Sequence, residues 1–217
     1  QLGHALCAGN VPRCPDPPRV PVTELPPGEP RRLTFSPEKA PAPAVALYFP
    51  TVPVTHEDDV PFSLLAQIAG IGNSSRVYRR LVAQDRLAVE AMGMNMSFQL
   101  DGGFALGALL PPFGGKADEA LAALREEMQR LCEDPVSSRE FIKAKNNMLR
   151  NLVTEGLMID SKARALGQAA VIEGDAARIN QRLDAICRCT EDDLLRVAKT
   201  YLAPERATEI RIERNLL

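Results

Sequence analysis

Proline placement constrains this chain more than any other feature of its sequence. Fourteen of the 18 prolines precede Phe62, and none falls between Val136 and Ala203. Proline supplies no amide hydrogen and clashes with the preceding helical turn, so the early region reads as linker and extended segment and the late region as helix. Arg13 to Pro30, with its Pro-Asp-Pro-Pro and Leu-Pro-Pro-Gly-Glu-Pro runs, has the stiffness of a spacer. Residues 1–31 are therefore expected to be a Pro-rich lead-in and residues 32–217 a single domain. A start at Gln1 rather than methionine adds the expectation that the chain is a fragment or a processed product of a larger parent.

The 217 residues, 45% of them hydrophobic, suffice for one sizeable core. A net charge of -2 leaves no whole-molecule field for nucleic acid or an anionic membrane, and neither partner is expected. No apolar run approaches the roughly 18 residues that would suggest a membrane span. The cysteines, Cys7, Cys14, Cys132, Cys187 and Cys189, are odd in number and irregularly spaced, which does not describe a disulfide framework. Cys187-Arg188-Cys189 offers two thiolates to a soft metal, but no second Cys/His cluster follows. The alternative is a helix end with one thiol turned inward.

Short strands are expected at Arg32 to Phe35 and at Ala44 to Phe49, the latter apolar enough to be buried on both faces. Asp58-Asp59-Val60-Pro61 reads as a helix start, with acids near the positive end of the dipole and proline in the first turn. That helix ends at Gly70-Ile71-Gly72-Asn73, and a second runs from Ser74 to about Gln84. From Val89 to Leu100, Met92, Met94, Met96, Phe98 and Leu100 alternate with Gly93, Asn95, Ser97 and Gln99, so a strand is predicted with the methionine side in the core. A methionine stripe can also make an adaptable binding surface. Asp101-Gly102-Gly103 turns the chain into a partner strand, Phe104 to Leu110. Lys116 to Cys132 is amphipathic at helical spacing. Ser137-x-x-Glu140 is a capping box opening a long helical run to Ile172, with a break expected near Asp160-Ser161. Gly174 stops that run, Asp175 caps the next helix, and Thr190 starts the last one. Ala207 to Glu213 closes as a strand with Thr208, Ile210 and Ile212 inward. This order defines an α+β fold, a two-layer sandwich of a mostly antiparallel sheet with helices on one face.

Two segments carry a resemblance. Gly72-Asn73-Ser74-Ser75-Arg76-Val77-Tyr78-Arg79-Arg80-Leu81 is similar to the G-x-x-S-S-R-L-[FY]-x-x-L stretch of the pitrilysin/insulinase zinc peptidases and mitochondrial processing peptidases. Asp134-Pro135-Val136-Ser137-x-x-Glu140-Phe141-x-x-Ala144-Lys145 resembles a recurrent helix start of the same family. The two stand in the family's order, separated by a hairpin and a helix, and the resemblance covers roughly Leu33 to Glu213. It implies the processing-peptidase/LuxS-like metallohydrolase fold. It also implies a duplicated parent in which one half bears an H-x-x-E-H zinc motif and the other is a degenerate copy closing the chamber.

This chain has only His4 and His56, and neither belongs to such a motif. A catalytic zinc needs three protein donors around an open position and a glutamate to take a proton from water. The resemblance thus implies the non-catalytic half of a zinc metalloendopeptidase that helps bind a peptide substrate; the compartment stays open, with periplasm or secretion favoured. Zinc is expected in a homologous partner half, upstream in the same chain or on a second subunit. In several active members the degenerate half contributes an arginine and a tyrosine seven residues apart. The motif register puts those positions at Val82 and Val89, which can supply no such hydrogen bonds. Val82 and Val89, with Arg86 as a stand-in donor, are the candidate substrate contacts. Arg79, Arg80 and Arg86 read equally as the solvated face of a helix. The alternative function is a catalytically dead structural or interaction subunit of the same fold.

Overall fold

A computed structural model describes residues 31–213 except 39, 41 and 114; residues 1–30 of the expected Pro-rich lead-in, with His4, Cys7 and Cys14, lie outside the described residues. Two strands, β1 (Arg32–Phe35) and β2 (Ala44–Thr51), lead into helix α1 (Asp59–Ala69). A short helix α2 (Arg76–Tyr78) continues directly as a π-helix (Arg79–Gln84). The hairpin β3 (Glu90–Ser97) and β4 (Gly102–Leu109) is followed by five helices: α3 (Ala117–Glu133), α4 (Ser138–Leu157), α5 (Ile159–Ile172), α6 (Arg178–Arg188) and α7 (Glu191–Tyr201). A 3-10 turn, Pro204–Arg206, precedes β5 (Thr208–Ile212). The strand order is β1-β5-β2-β4-β3, antiparallel throughout except that β1 runs parallel to β5. The α+β class, the element order and the helix break before Asp160 all agree with the sequence.

The helix starts follow local chemistry. Ser137 and Glu140 form the reciprocal box on α4, and Thr190 and Asp193 form another on α7, each satisfying two orphan amides. Asp175 accepts the amide of Ala177 at 2.9 Å at the entry to α6. The two acids at α1 behave otherwise. Asp58 is the N-cap residue without a side-chain cap bond. Its buried carboxylate instead meets Arg196 at 2.6 Å and the Tyr201 hydroxyl at 3.1 Å, both on α7. Asp59 accepts from Asn95 at 2.9 Å and from the Ser97 hydroxyl on β3, and lies 3.4 Å from Arg182 on α6. What reads locally as a dipole-favoured helix start is a pair of buried carboxylates tying α1 to two helices and an edge strand.

The helices cover one face of the sheet. Val45, Leu47 and Phe49 of β2 lie beside Ala108, Leu106 and Phe104 of β4, all buried under α1, α3 and α7 together with Phe62, Leu65 and Leu124. Residues paired across a ladder share a face, so this register settles every strand's orientation. Three expectations are corrected by it. First, β2 is buried on one face only: Ala44, Ala46 and Tyr48 are half-exposed on the other. Second, β3 is turned over. Ala91 and Gly93 pair with Ala108 and Leu106 on the covered face, while Met92 and Met94 are 43% and 41% exposed on the open face. Phe98 and Leu100 lie beyond β3 and are exposed as well. Third, β5 presents Glu209 and Arg211 to the helices, where Arg125 and Asp118 of α3 bind them, and Ile210 and Ile212 to the open face.

The reversal of β3 has a steric cause. The end of α1 touches this strand backbone to backbone: the Gly93 amide donates to the Gly70 carbonyl at 3.1 Å. A Cβ on Gly70 would sit 2.1 Å from the Gly93 nitrogen, and one on Gly93 would sit 2.5 Å from the Leu106 side chain. Only the small side chains of the alternation fit beneath α1, so the methionines must point away.

Candidate functional site

The two motifs that carry the family resemblance meet in space. Arg76 donates from Nε to Glu140 Oε1 at 3.0 Å and from Nη2 to Oε2 at 2.9 Å, a bidentate pair. Its partners' side chains are only 14% and 27% exposed. Ser75 caps α2, its hydroxyl accepting the Tyr78 amide, and Lys143 of α4 donates to the Ser74 hydroxyl. Glu140 thus serves its own helix start and clamps α4 to the α1–α2 connection at once. The Arg76 hydrogen bonds, aided by those of Ser137, hold the Glu140 carboxyl well below its ordinary range, at about 2. Spacing alone does not reveal that the two motifs form one joint.

From that joint the chain enters the π-helix Arg79–Gln84, whose wider turn delivers the backbone to β3. Arg80 lies 2.6 Å from Asp85 and 3.1 Å from Glu126, fixing the passage to α3. The amides of Leu87 and Ala88 both return to the Leu81 carbonyl, at 2.8 and 3.1 Å. Arg86, immediately before them, has φ +55°. An L side chain costs energy in that left-handed region, and the tight return leaves it no choice. Of the candidate contacts, Val82 rests half-buried against the domain's own core, whereas Arg86 and Val89 are exposed, Val89 by 52%.

Beside the passage lies the open face of the sheet. One row across all five strands reads Leu33, Ile210, Ala46, Gly107, Met92, and its neighbour on one side reads Phe35, Ile212, Ala44, Leu109, Glu90. On the other side Thr208, Tyr48, Ala105 and Met94 stand in line. In the central row β2 and β4 carry Ala46 and Gly107, with Tyr48 and Leu109 to either side, while β1, β5 and β3 carry Leu33, Phe35, Ile210, Ile212, Met92 and Met94, so the face is a shallow, largely apolar trough with Glu90 at one edge. Tyr48 lies over Gly103, whose added Cβ would come within 2.5 Å of its ring. Five strands at about 4.8 Å spacing make a patch some 20 Å across, on the order of 300 Å², the scale at which exposed apolar area marks a contact surface. The sequence held the signal for it: the methionine stripe at period two, assigned there to the core.

Among the described residues no three His, Cys, Asp or Glu side chains gather where a metal ion could be held. The His56 Nδ1 accepts the Asp58 amide at 3.1 Å, a local bond at the start of α1. Cys187 is exposed and Cys189 buried, at the end of α6, where Lys145 donates to both of their carbonyls at 2.6 and 3.0 Å. Burial raises the Cys189 and Cys132 thiols to about 11, which removes them as ready thiolates. Among the described residues the donors do not fit a zinc site. No helix among the described residues is long and apolar enough to cross a membrane.

A half-covered sheet, a clamp between two motifs and, among the described residues, no gathered set of metal donors are what the fold presents. The chain belongs to the peptidase M16 family: residues 7–148 match its inactive-domain model. It is 25% identical over 170 residues to the zinc protease PqqE of Helicobacter pylori, a match spanning 76% of this chain and 37% of that protein. The structure of a protease from Helicobacter pylori superposes with a TM-score of 0.84 at 22% identity, over 94% of this chain and 49% of the other. The inactive peptidase domain of a Bordetella parapertussis protein described as a zinc protease gives 0.71 at 27% identity, over 82% of this chain and 96% of that one. The chain therefore spans less than half the length of its Helicobacter relatives and nearly the whole of the Bordetella domain.

Proposed function

We propose that this chain is the non-catalytic half of a zinc-dependent metalloendopeptidase. Its open sheet face looks across a chamber at a homologous half that carries H-x-x-E-H, and peptide substrate passes over it. The observation that carries the reading is the apolar trough of β1 to β5: a domain that buries one side of its sheet so thoroughly leaves the other uncovered for a second body. Ala and Gly at the centre leave room for an extended peptide, while Met92 and Met94 on one side and Leu33 and Phe35 on the other supply adaptable apolar contact. Zinc, water activation and bond cleavage belong to the partner half, and this half's contribution is binding and enclosure.

The test pairs this chain with its catalytic half and measures peptide hydrolysis. Ala46→Arg, placed mid-trough at a half-exposed position, is expected to lower kcat/KM at least tenfold while thermal stability changes little. Unaltered hydrolysis with the arginine in place would overturn the chamber reading. A second reading, a catalytically dead interaction subunit, is favoured by Val82, which sits partly in the domain's own core where active members carry a polar side chain. Val82→Arg combined with Val89→Tyr separates the two readings: a gain in hydrolysis supports the peptidase, and no hydrolysis by any version supports the subunit.

A further inference from the structure

A second surface lies in the helix layer, away from the trough. The end of α1 and the α1–α2 connection face α4 across a groove of about 690 Å³. Arg139, Lys143, Asn147, Arg150 and Asn151 form its α4 wall. Their spacing of four, four, three and one keeps them on a single stripe of the helix. Every one of these side chains can donate hydrogen bonds and three are cations. Arg79 adds a fourth cation from the opposite wall. Among the described residues the one acid in the groove, Glu140, is already neutralised by the bidentate Arg76 and approached by Arg79 at 3.7 Å. Arg139 and Arg150 are exposed and engage no carboxylate among the described residues.

This charge is local. The chain as a whole is acidic by two charges, so the groove is a cationic strip on a molecule of opposite sign. Its floor is apolar, with Ile68 buried and Ile71 nearly half exposed. Among the described residues no aromatic side chain lines it, so it lacks the stacking platform on which single-stranded nucleic acid is usually held. From Arg139 to Asn151 the stripe is about 18 Å long at 1.5 Å per residue. That length matches five or six residues of extended peptide at about 3.3 Å each.

We propose that this groove binds an extended, carboxylate-rich peptide segment, its acids paired with Arg139, Lys143, Arg150 and Arg79 and its apolar side chains set against Ile68 and Ile71. The site is distinct from the trough, and either can fail without the other.

Fluorescence anisotropy with the labelled heptapeptide Gly-Glu-Glu-Leu-Glu-Glu-Gly tests this on the full chain. Saturable binding is expected, weakening as salt rises. The double variant Arg139→Ser/Arg150→Ser, both exposed and unpaired and so harmless to folding, should bind at least tenfold more weakly. The peptide with glutamine in place of each glutamate should bind as poorly. Lys162→Ser/Arg164→Ser on α5 removes two exposed cations outside the groove and should leave affinity unchanged. Equal affinity for the glutamine peptide, an unaffected R139S/R150S variant, or an equal loss in K162S/R164S would each overturn the proposal, the last by tracing the attraction to diffuse charge.

Discussion

Replacing Glu140 with glutamine isolates the clamp between the two motifs. The Arg76 hydrogen bonds and the Ser137 cap lower the Glu140 carboxyl from 4.5 to about 2. At about 1.4 kcal/mol per pH unit that depression is equivalent to roughly 3 kcal/mol of preference for the charged form in the folded state. The side chain is 27% exposed, so solvent screening reduces the usable part to about 1.5–2.5 kcal/mol. A carboxyl depressed by folding stabilises the native state above its unfolded value and loses that stabilisation as pH falls through its folded value. The window is therefore from about pH 4.5 down to about pH 2. Urea unfolding of the parent chain and of Glu140→Gln, measured at pH 7 and at half-unit steps below pH 5, gives the comparison. The variant should be less stable by about 1.5–2.5 kcal/mol at pH 7, with the gap closing as acid protonates Glu140 in the parent. Two parallel stability curves across that window would refute the assignment of the ion pair as an energetic joint and leave it a geometric coincidence.

Three further outcomes follow from the packing. Gly93→Val should destabilise the fold by about 1–3 kcal/mol or prevent folding, because its side chain would enter the α1 contact, and thermal melts would show it. Met94→Lys, on the open face, should change stability by no more than about 0.5 kcal/mol; a loss above about 2 kcal/mol would mean that the methionine stripe is core after all. Arg86→Gly should raise stability by about 0.5–1 kcal/mol by relieving the left-handed conformation, and Arg86→Val should lower it, both read as shifts in the urea midpoint.

What was legible in the sequence was whatever neighbours along the chain determine. The capping boxes at Ser137 and Thr190 and the break before Asp160 depend on residues within four positions of one another and stand where expected, whereas the hairpin turn falls earlier than expected, at Phe98 to Asp101, with Gly102 and Gly103 already paired in β4. The faces of β3 and β5 depend on what lies above the sheet, which no local pattern records. Period-two alternation gives two faces but does not name the inner one. Size was a poor guide, because the glycine side of β3 meets a helix end and the charged side of β5 meets Arg125 and Asp118. The buried acids Asp58 and Asp59 escaped for the same reason: their partners on α6, α7 and β3 lie 36 or more residues away. Of the candidate contacts, the register alone could place Val82 and Val89 near the helix-to-strand passage; that Val82 turns partly into the core is a tertiary fact.

The trough and the close approach of α1 to β3 are one consequence of a single constraint. Side chains along a strand alternate, so whatever the covered face demands, the open face receives the remainder. Bringing a helix end within hydrogen-bonding distance of an edge strand demands glycine at 93 and alanine at 91, which delivers Met92 and Met94 outward. Satisfying Arg125 and Asp118 on α3 takes Glu209 and Arg211, which delivers Ile210 and Ile212 to the same outer surface. Shifting either strand by one residue would bury a methionine where no space exists, or an isoleucine against two unpaired charges. The apolar open face is thus locked to the core by register, and a change that reshapes the trough by slipping a strand must first break the packing beneath it.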